Sequence, residues 1–459
     1  MQLLDLPLRQ ALLKLALPLT ASMALETAFT FVNGYWVGRL GTEALAAANL
    51  CSFSLWMMMA LTATISTGGN AVMAQRIGAR QPERARQLAW ICVLAALLWG
   101  GGLALLAQTF SRDYLTWQVG GQLRLTAVVE LATLYLTRVF WFAPIFCANE
   151  VLSAIMRAHG DTLTPLRVYA LGVALNFVLD PVLMFHFDLG LPGAAYASGI
   201  SFFVMLVLLA ALVRRRFPPI WLGSPPWGEV AEVFRIGLPG ALTAAFFCFI
   251  YILITPTVGL YGPTALAALG IGHRVESFSY LISHGLSLAS ITLVGQHLGA
   301  GQKDQAYQAG LEACRVVTAF MLLASLVMLL GADPLARFFS DDPAVIDRTI
   351  IYLRWMALAQ WCTGLAMVLE GVMSGAGRPL ASTMVSATCA ASRWPLSGQG
   401  SQAYGLVGVW AALVAARWVE ACLCLLVFWR SPVWKGVRPI LVSIVRTNPE
   451  KVGLQGGQS

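Results

Sequence analysis

Apolar residues fill this chain in long uninterrupted runs, and polar residues collect in the short gaps between them. Crossing the ~30 Å hydrocarbon core of a bilayer takes about 20 mostly apolar residues. Runs of that kind recur near 12–38, 45–75, 84–110, 127–156, 163–187, 191–213, 230–257, 264–296, 308–332, 350–374, 380–400 and 404–430. At that depth every backbone polar group must be bonded internally, so the runs predict helices. The expected fold is an all-α polytopic membrane protein with twelve transmembrane helices.

Composition agrees, since 58% hydrophobic residues, 11% charged residues and a mean hydropathy of +0.72 exclude a soluble globule. A short head with Asp5, Arg9 and Lys14 precedes the first run, with no small-residue cleavage site behind it, so the run reads as a retained helix. Arg76, Arg80, Arg84 and Arg86, then Arg214 to Arg216, then Lys435, Arg438, Arg446 and Lys451 all fall on one side. That bias predicts cytoplasmic termini. It also accounts for the +8 charge, so the expected macromolecular partner is a lipid bilayer and not a nucleic acid.

The nine cysteines, at 51, 92, 147, 248, 314, 362, 389, 422 and 424, have neither zinc-ligand nor disulfide spacing and read as packing residues. There is no HExxH, and the five histidines are scattered, so an intramembrane enzyme has no constellation to rest on. No catalytic residue, metal or cofactor is expected.

The chain also repeats itself. Adding 221 to a residue number carries Leu17-Pro18 to Leu238-Pro239, Gly41–Ala46 to Gly262–Ala267, and Gln75–Ala79 to Gln296–Ala300. After a small length change Met156–Asp161 aligns with Met373–Arg378, and Gly193 with Gly408. Six runs per copy make the repeats parallel, related by an axis along the membrane normal. The expected organisation is a six-helix lobe over 1–213, a linker over 214–229, a second lobe over 230–430 and a cytoplasmic tail over 431–459. Two bundles rocking about a central cleft would give alternating access.

An acid at membrane depth costs about 2.5–3.5 kcal/mol, so each is a functional candidate. Asp180 lies mid-run, one residue before Pro181, whose missing N–H frees a carbonyl one turn earlier. Asn176 stands four residues before it on the same face, so a carboxylate and an amide oxygen converge. That pair suits a proton or, with further oxygens, sodium.

Several motifs in order resemble the multidrug and toxic compound extrusion (MATE) family. They are Leu17-Pro18, Gly38-Arg39-Leu40-Gly41 leading into Ala44-Leu45-Ala46, the paired Arg76–Ala79 and His297–Ala300, Asn176–Pro181, and Gly371–Arg378. The resemblance covers nearly the whole chain and thins after about residue 435. It implies a V-shaped cavity between the lobes and export of amphipathic, often cationic organic compounds against protons or sodium ions. It also implies a multi-pass protein of the bacterial inner membrane, here expected as a monomer.

By the same resemblance, Asn176 and Asp180 match the family's first-lobe site, and Ser198 keeps a hydroxyl where a Thr is common. Asn33 stands where the family usually has an Asp. The site is thereby one negative charge short, which favours protons over sodium and leaves Asp180 as the main protonatable group. Glu26, two turns before Asn33 and ~10 Å along the helix, is a further candidate. Its repeat equivalent is Phe247, a position where members with a second-lobe cation site carry Glu; the partner position there is Thr363. A second-lobe coupling site is therefore expected to be absent.

Glu276, Met57, Phe247 and Trp361 are candidates for the substrate cavity, with His284 as a possible neighbour. Glu150, Arg138 and Glu370 read as residues in or near helix ends, and Trp99, Trp117 and Trp434 as interface anchors. The alternative function is a lipid-linked saccharide flippase of the same superfamily, which would want more basic residues at depth than Arg138, Arg274, Arg393 and Arg417. A channel is disfavoured by the sparse polar lining.

Overall fold

The structure, a computed structural model, describes residues 3–118, 126–220 and 227–437. Its described residues form α1 (Leu8–Gly38), α2 (Thr42–Gly78), α3 (Pro82–Gln118), α4 (Thr126–Trp141), α5 (Ala143–Ala158), α6 (Leu163–Pro181) and α7 (Gly190–Arg216). The second half continues with α8 (Trp227–Gly259), α9 (Pro263–Gly299), α10 (Lys303–Leu330), α11 (Ala332–Phe339), α12 (Pro343–Gly375) and α13 (Leu380–Arg430). α4 and α5 meet at a 44° bend and together make one span. α13 breaks at Tyr404 and at Gly405, where φ is +63°, and so supplies two spans as two arms. Counted that way there are twelve spans, six in each repeat, in the V-shaped arrangement expected.

Most helices outrun the apolar stretches that announced them. α2 continues to Gly78 and α9 to Gly299, and Arg214–Arg216 are the last turn of α7 rather than linker. Trp227 to Glu229 likewise open α8. α11 is a short helix that the apolar pattern did not give; its Arg337 and Asp333 pair one turn apart at 3.0 Å on an exposed face. The tail from 438 onward, with Arg438, Arg446 and Lys451, and the side chain of Cys248 lie outside the described residues.

Pro18 and Pro239 each sit inside a span and each remove one helical N–H. A hydroxyl one turn past each proline bonds back in register: Ser22 Oγ donates to Pro18 O at 3.0 Å, and Thr243 Oγ1 to Pro239 O at 3.0 Å. The carbonyl of Lys14, left over by Pro18, accepts from Thr162 Oγ1 at 3.4 Å.

The repeat is also the geometry of the joint between lobes. α2 and α9 cross where a Cβ on Gly78 would stand 2.0 Å from the Gln296 carbonyl oxygen, and one on Gly299 would stand 1.9 Å from that of Gln75. These two contacts exchange under the 221-residue shift. Two hydrogen bonds are likewise equivalent, from Gln75 Nε2 to Gly375 O at 2.8 Å and from Gln296 Nε2 to Ala158 O at 2.7 Å, the glutamines related by the 221-residue shift and the acceptors by the 217-residue offset that aligns Met156 with Met373. Thr292 Oγ1 donates to Asn70 Oδ1 at 3.1 Å beside them. Arg76 and Glu229 close the same end with an ion pair at 3.0 Å.

Burial follows this closure. Gly285 to His297 are buried without interruption, as are Gly68 to Ala74, whereas the earlier halves of α2 and α9 are largely half-buried or exposed. The V therefore has its apex at the end that carries Arg76, Arg216 and Trp434, and it opens toward the other. Both ends of the described chain lie there too: Leu3 packs on Gly160, and Trp434 on Tyr307 and Phe428.

Arg138 lies in the last turn of α4, its guanidinium 4.0 Å from the Trp141 ring, and Glu370 five residues from the end of α12, both near helix ends as expected. Two expectations are corrected: Glu150 stands midway along α5, and two of the tryptophans are not anchors. Trp99 is mid-helix against Phe234, and Trp434 is buried against two rings, so neither is an interface anchor.

Candidate functional site

Asp180 and Asn176 lie on α6 four residues apart, and both are fully buried. Asn176 Nδ2 donates to Asp180 Oδ1 at 3.1 Å, the contact expected of one helix face. Pro181 ends the regular helix immediately after the acid, and a π turn over Val182–His186 follows. Such turns release backbone groups from the α ladder and often mark functional positions.

α1 and α7 complete the neighbourhood. Asn33 Nδ2 reaches Ser198 Oγ at 3.5 Å, a long hydrogen bond. Three residues on, Trp36 packs on Phe177 and Phe185 of the α6 segment at 6.2 and 6.1 Å between centroids, clamping α1 to it. Tyr135 of α4 lies within electrostatic reach of Asp180. Three buried oxygens have no hydrogen-bond partner: Asn33 Oδ1, Asn176 Oδ1 and Asp180 Oδ2. A group left in that state is costly, and a proton or a small cation would satisfy it.

Glu26 belongs to a different cluster. It lies half-buried on α1 with the charges of Glu150 on α5 and the phenol of Tyr169 on α6 close by. Met23, one turn earlier, meets His284 of α9 with Nδ1 and Sδ 3.3 Å apart, and Tyr280 stacks on that imidazole. Glu26 thus stands near the joint between lobes, and no contact links it to Asp180 among the described residues.

The second-lobe candidates are drawn into the lobe. Glu276 accepts from Tyr352 Oη at 2.8 Å and from Arg417 Nη2 at 3.3 Å, which ties α9 to α12 and α13. Arg417 also donates to Thr363 Oγ1. Phe247 lies under the guanidinium of Arg393, 5.1 Å from ring centre to Cζ, and Arg393 pairs with Glu420 at 2.5 Å. Trp361 donates to Thr318 Oγ1 at 3.0 Å and packs on Trp418, so it faces α10 and α13; Met57 is half-buried on α2.

Sequence reading missed Glu420 altogether. The available signal was its place three residues after Arg417 on an apolar span, which puts a second charge on nearly the same face. Among the described residues no group of three or more His, Cys, Asp or Glu side chains is arranged to hold a metal ion.

The chain is similar to known proteins over most of its length. The family model described as MatE matches residues 18–182 and 239–397. A protein of Thermotoga maritima named "Probable multidrug resistance protein NorM" is 28% identical over 434 residues, covering 92% of each chain. An FAD transporter of Shewanella oneidensis is 24% identical over 436 residues, covering 92% of this chain and 94% of its own. Among solved structures, the outward-facing conformation of a multidrug resistance transporter of the MOP superfamily superposes with a TM-score of 0.85 at 25% identity, covering 93% of this chain and 96% of that one.

Proposed function

The chain belongs to the MatE family, and from that premise we propose that it is a secondary active exporter of amphipathic, often cationic organic compounds, driven by protons in preference to sodium. The observation that carries the reading is the sealed Asp180–Asn176 pair, with three unpartnered oxygens on α1 and α6. Asp180 is the one ionisable member of that set, and a single carboxylate among neutral amides takes a proton more readily than it holds sodium, which wants more oxygens and more charge.

The proton enters and leaves through Asp180, while Asn176 orients its carboxylate by donating to Oδ1. Asn33 and Ser198 bring α1 and α7 onto the same site. Because α6 turns to π geometry two residues past Asp180, gain or loss of that proton acts where the helix is most easily rearranged. The V opens away from the arginine-rich end, so with the cytoplasm at that end the cavity faces outward, both termini are cytoplasmic, and substrate is released.

The saccharide flippase reading is disfavoured by the state of its basic groups, since Arg393 and Arg417 are committed to Glu420 and Glu276. Nucleotide cargo such as that named for the Shewanella relative would also want free cations in the cleft.

The test is transport of a fluorescent organic cation in proteoliposomes under an imposed pH gradient or an imposed sodium gradient. Asp180→Asn is expected to abolish pH-driven efflux, and Glu26→Gln to slow it. Efflux that survives Asp180→Asn, or that sodium alone drives, overturns the reading.

A further inference from the structure

Inside the second lobe lies a polar cluster that the coupling reading does not use. Glu370 comes from α12, Ser386 and Arg393 from the first arm of α13, and Glu420 from its second arm. Ser386 and Arg393 are seven residues apart and share a helix face, so they line one seam against α12. Arg393 donates from Nη2 to Glu420 Oε2 at 2.5 Å and lies over Phe247 of α8. The residue is 2% exposed, yet its Nε and Nη1 have no partner.

At the other end of the seam, Glu370 Oε1 is sealed from solvent and unpartnered. The hydroxyl of Ser386, only 6% exposed, lies beside the Glu370 carboxyl, near enough to interact with it but outside regular hydrogen-bond geometry. Cys424 stands near both acids with Cys389 next to it. Glu420 is the charged group within electrostatic reach of Glu370.

The charges decide what this cluster can hold. Arg393 neutralises Glu420, which leaves Glu370 as an acid with no cation of its own. As a carboxylate it would place a second negative charge beside Glu420 in a setting that penalises even one. As a carboxylic acid it leaves the cluster neutral, with an O–H to give and oxygens to accept. Loss of the proton would place an uncompensated anion beside Glu420, whose own charge Arg393 already neutralises.

We propose that Glu370, Ser386, Glu420 and Arg393 form a second proton-binding site, buried in the second lobe, whose ligand is a single proton held on Glu370. It goes beyond the coupling reading and stands or falls independently of Asp180. Its location is not given by the repeat, because the residue equivalent to Glu370 in the first lobe is Ser153 and that equivalent to Ser386 is Tyr169.

The test reads the carboxylic C=O stretch of protonated acids by infrared difference spectroscopy, on the full chain in lipid nanodiscs, titrated across neutral pH. Glu370→Gln is expected to remove one titrating band and to leave the band that Asp180→Asn removes. Arg393→Gln is expected to keep the Glu370 band and move its midpoint by about one pH unit. Glu370→Asp keeps a titrating band at a changed frequency and serves if the Gln variant does not fold. A spectrum unchanged by both Glu370 substitutions, or a Glu370 band indifferent to Arg393→Gln, overturns the proposal. Since no transport is measured, failure here is distinct from failure of the coupling reading.

Discussion

Arg417 sets its guanidinium against the hydroxyl of Thr363, 54 residues earlier in the chain, and the same guanidinium reaches Glu276 at 3.3 Å. Thr363 and Phe247 are the two positions of the resemblance where an acid would serve a second-lobe cation. Each is touched by an arginine instead, Thr363 by Arg417 and Phe247 by Arg393. Tethered cations thus occupy the neighbourhood in which a mobile one would otherwise need acids.

Arg417→Ala is expected to destabilise the protein by about 3–5 kcal/mol, because it strands Glu276 in a buried setting. Replacing both partners, Arg417→Met with Glu276→Leu, should recover most of the loss. Thermal unfolding of the three variants in detergent checks this; equal losses in the single and double variants would count against it.

Gly78→Ala and Gly299→Ala are each expected to cost at least about 1–3 kcal/mol, since a methyl group would enter the space of a facing carbonyl oxygen. Gly101→Ala, where a Cβ meets nothing within 4 Å, is the matched control and should be near neutral. The readout is again the midpoint of thermal unfolding.

Asn33→Asp would restore a second negative charge near Asp180. Sodium affinity is expected to rise on the order of tenfold, equivalent to ~1.4 kcal/mol, measured as radioactive sodium bound by purified protein. No change would mean that Asn33 does not share a site with Asp180.

Outside the spans, Asp161 accepts from Thr164 N at 2.9 Å, from Thr164 Oγ1 at 2.7 Å and from Arg216. Partial burial pushes its carboxyl up, and these bonds more than offset it, so it sits below the ordinary 3.8. A depressed folded value means that its stabilisation is fully present above the unfolded value and disappears as pH falls through the folded one. Asp161→Asn should therefore lower stability at neutral pH and flatten its decline below about pH 4, read from unfolding midpoints against pH.

Twelve spans and the lobe symmetry were legible in the sequence because lipid demands long apolar helices, and because the duplication preserved glycines and glutamines at the crossing. Asp180 and Asn176 were legible for a local reason, four residues on one helix. Glu276 and Arg417 were not, since 141 residues separate partners that only the closing of α9 on α13 brings together.

The two glutamine bonds at the apex, from Gln75 to Gly375 and from Gln296 to Ala158, are copies of each other about the axis between the lobes. Any turn of one lobe against the other about that axis would load both bonds alike, so the apex is held by a matched pair of ties and not by a single one.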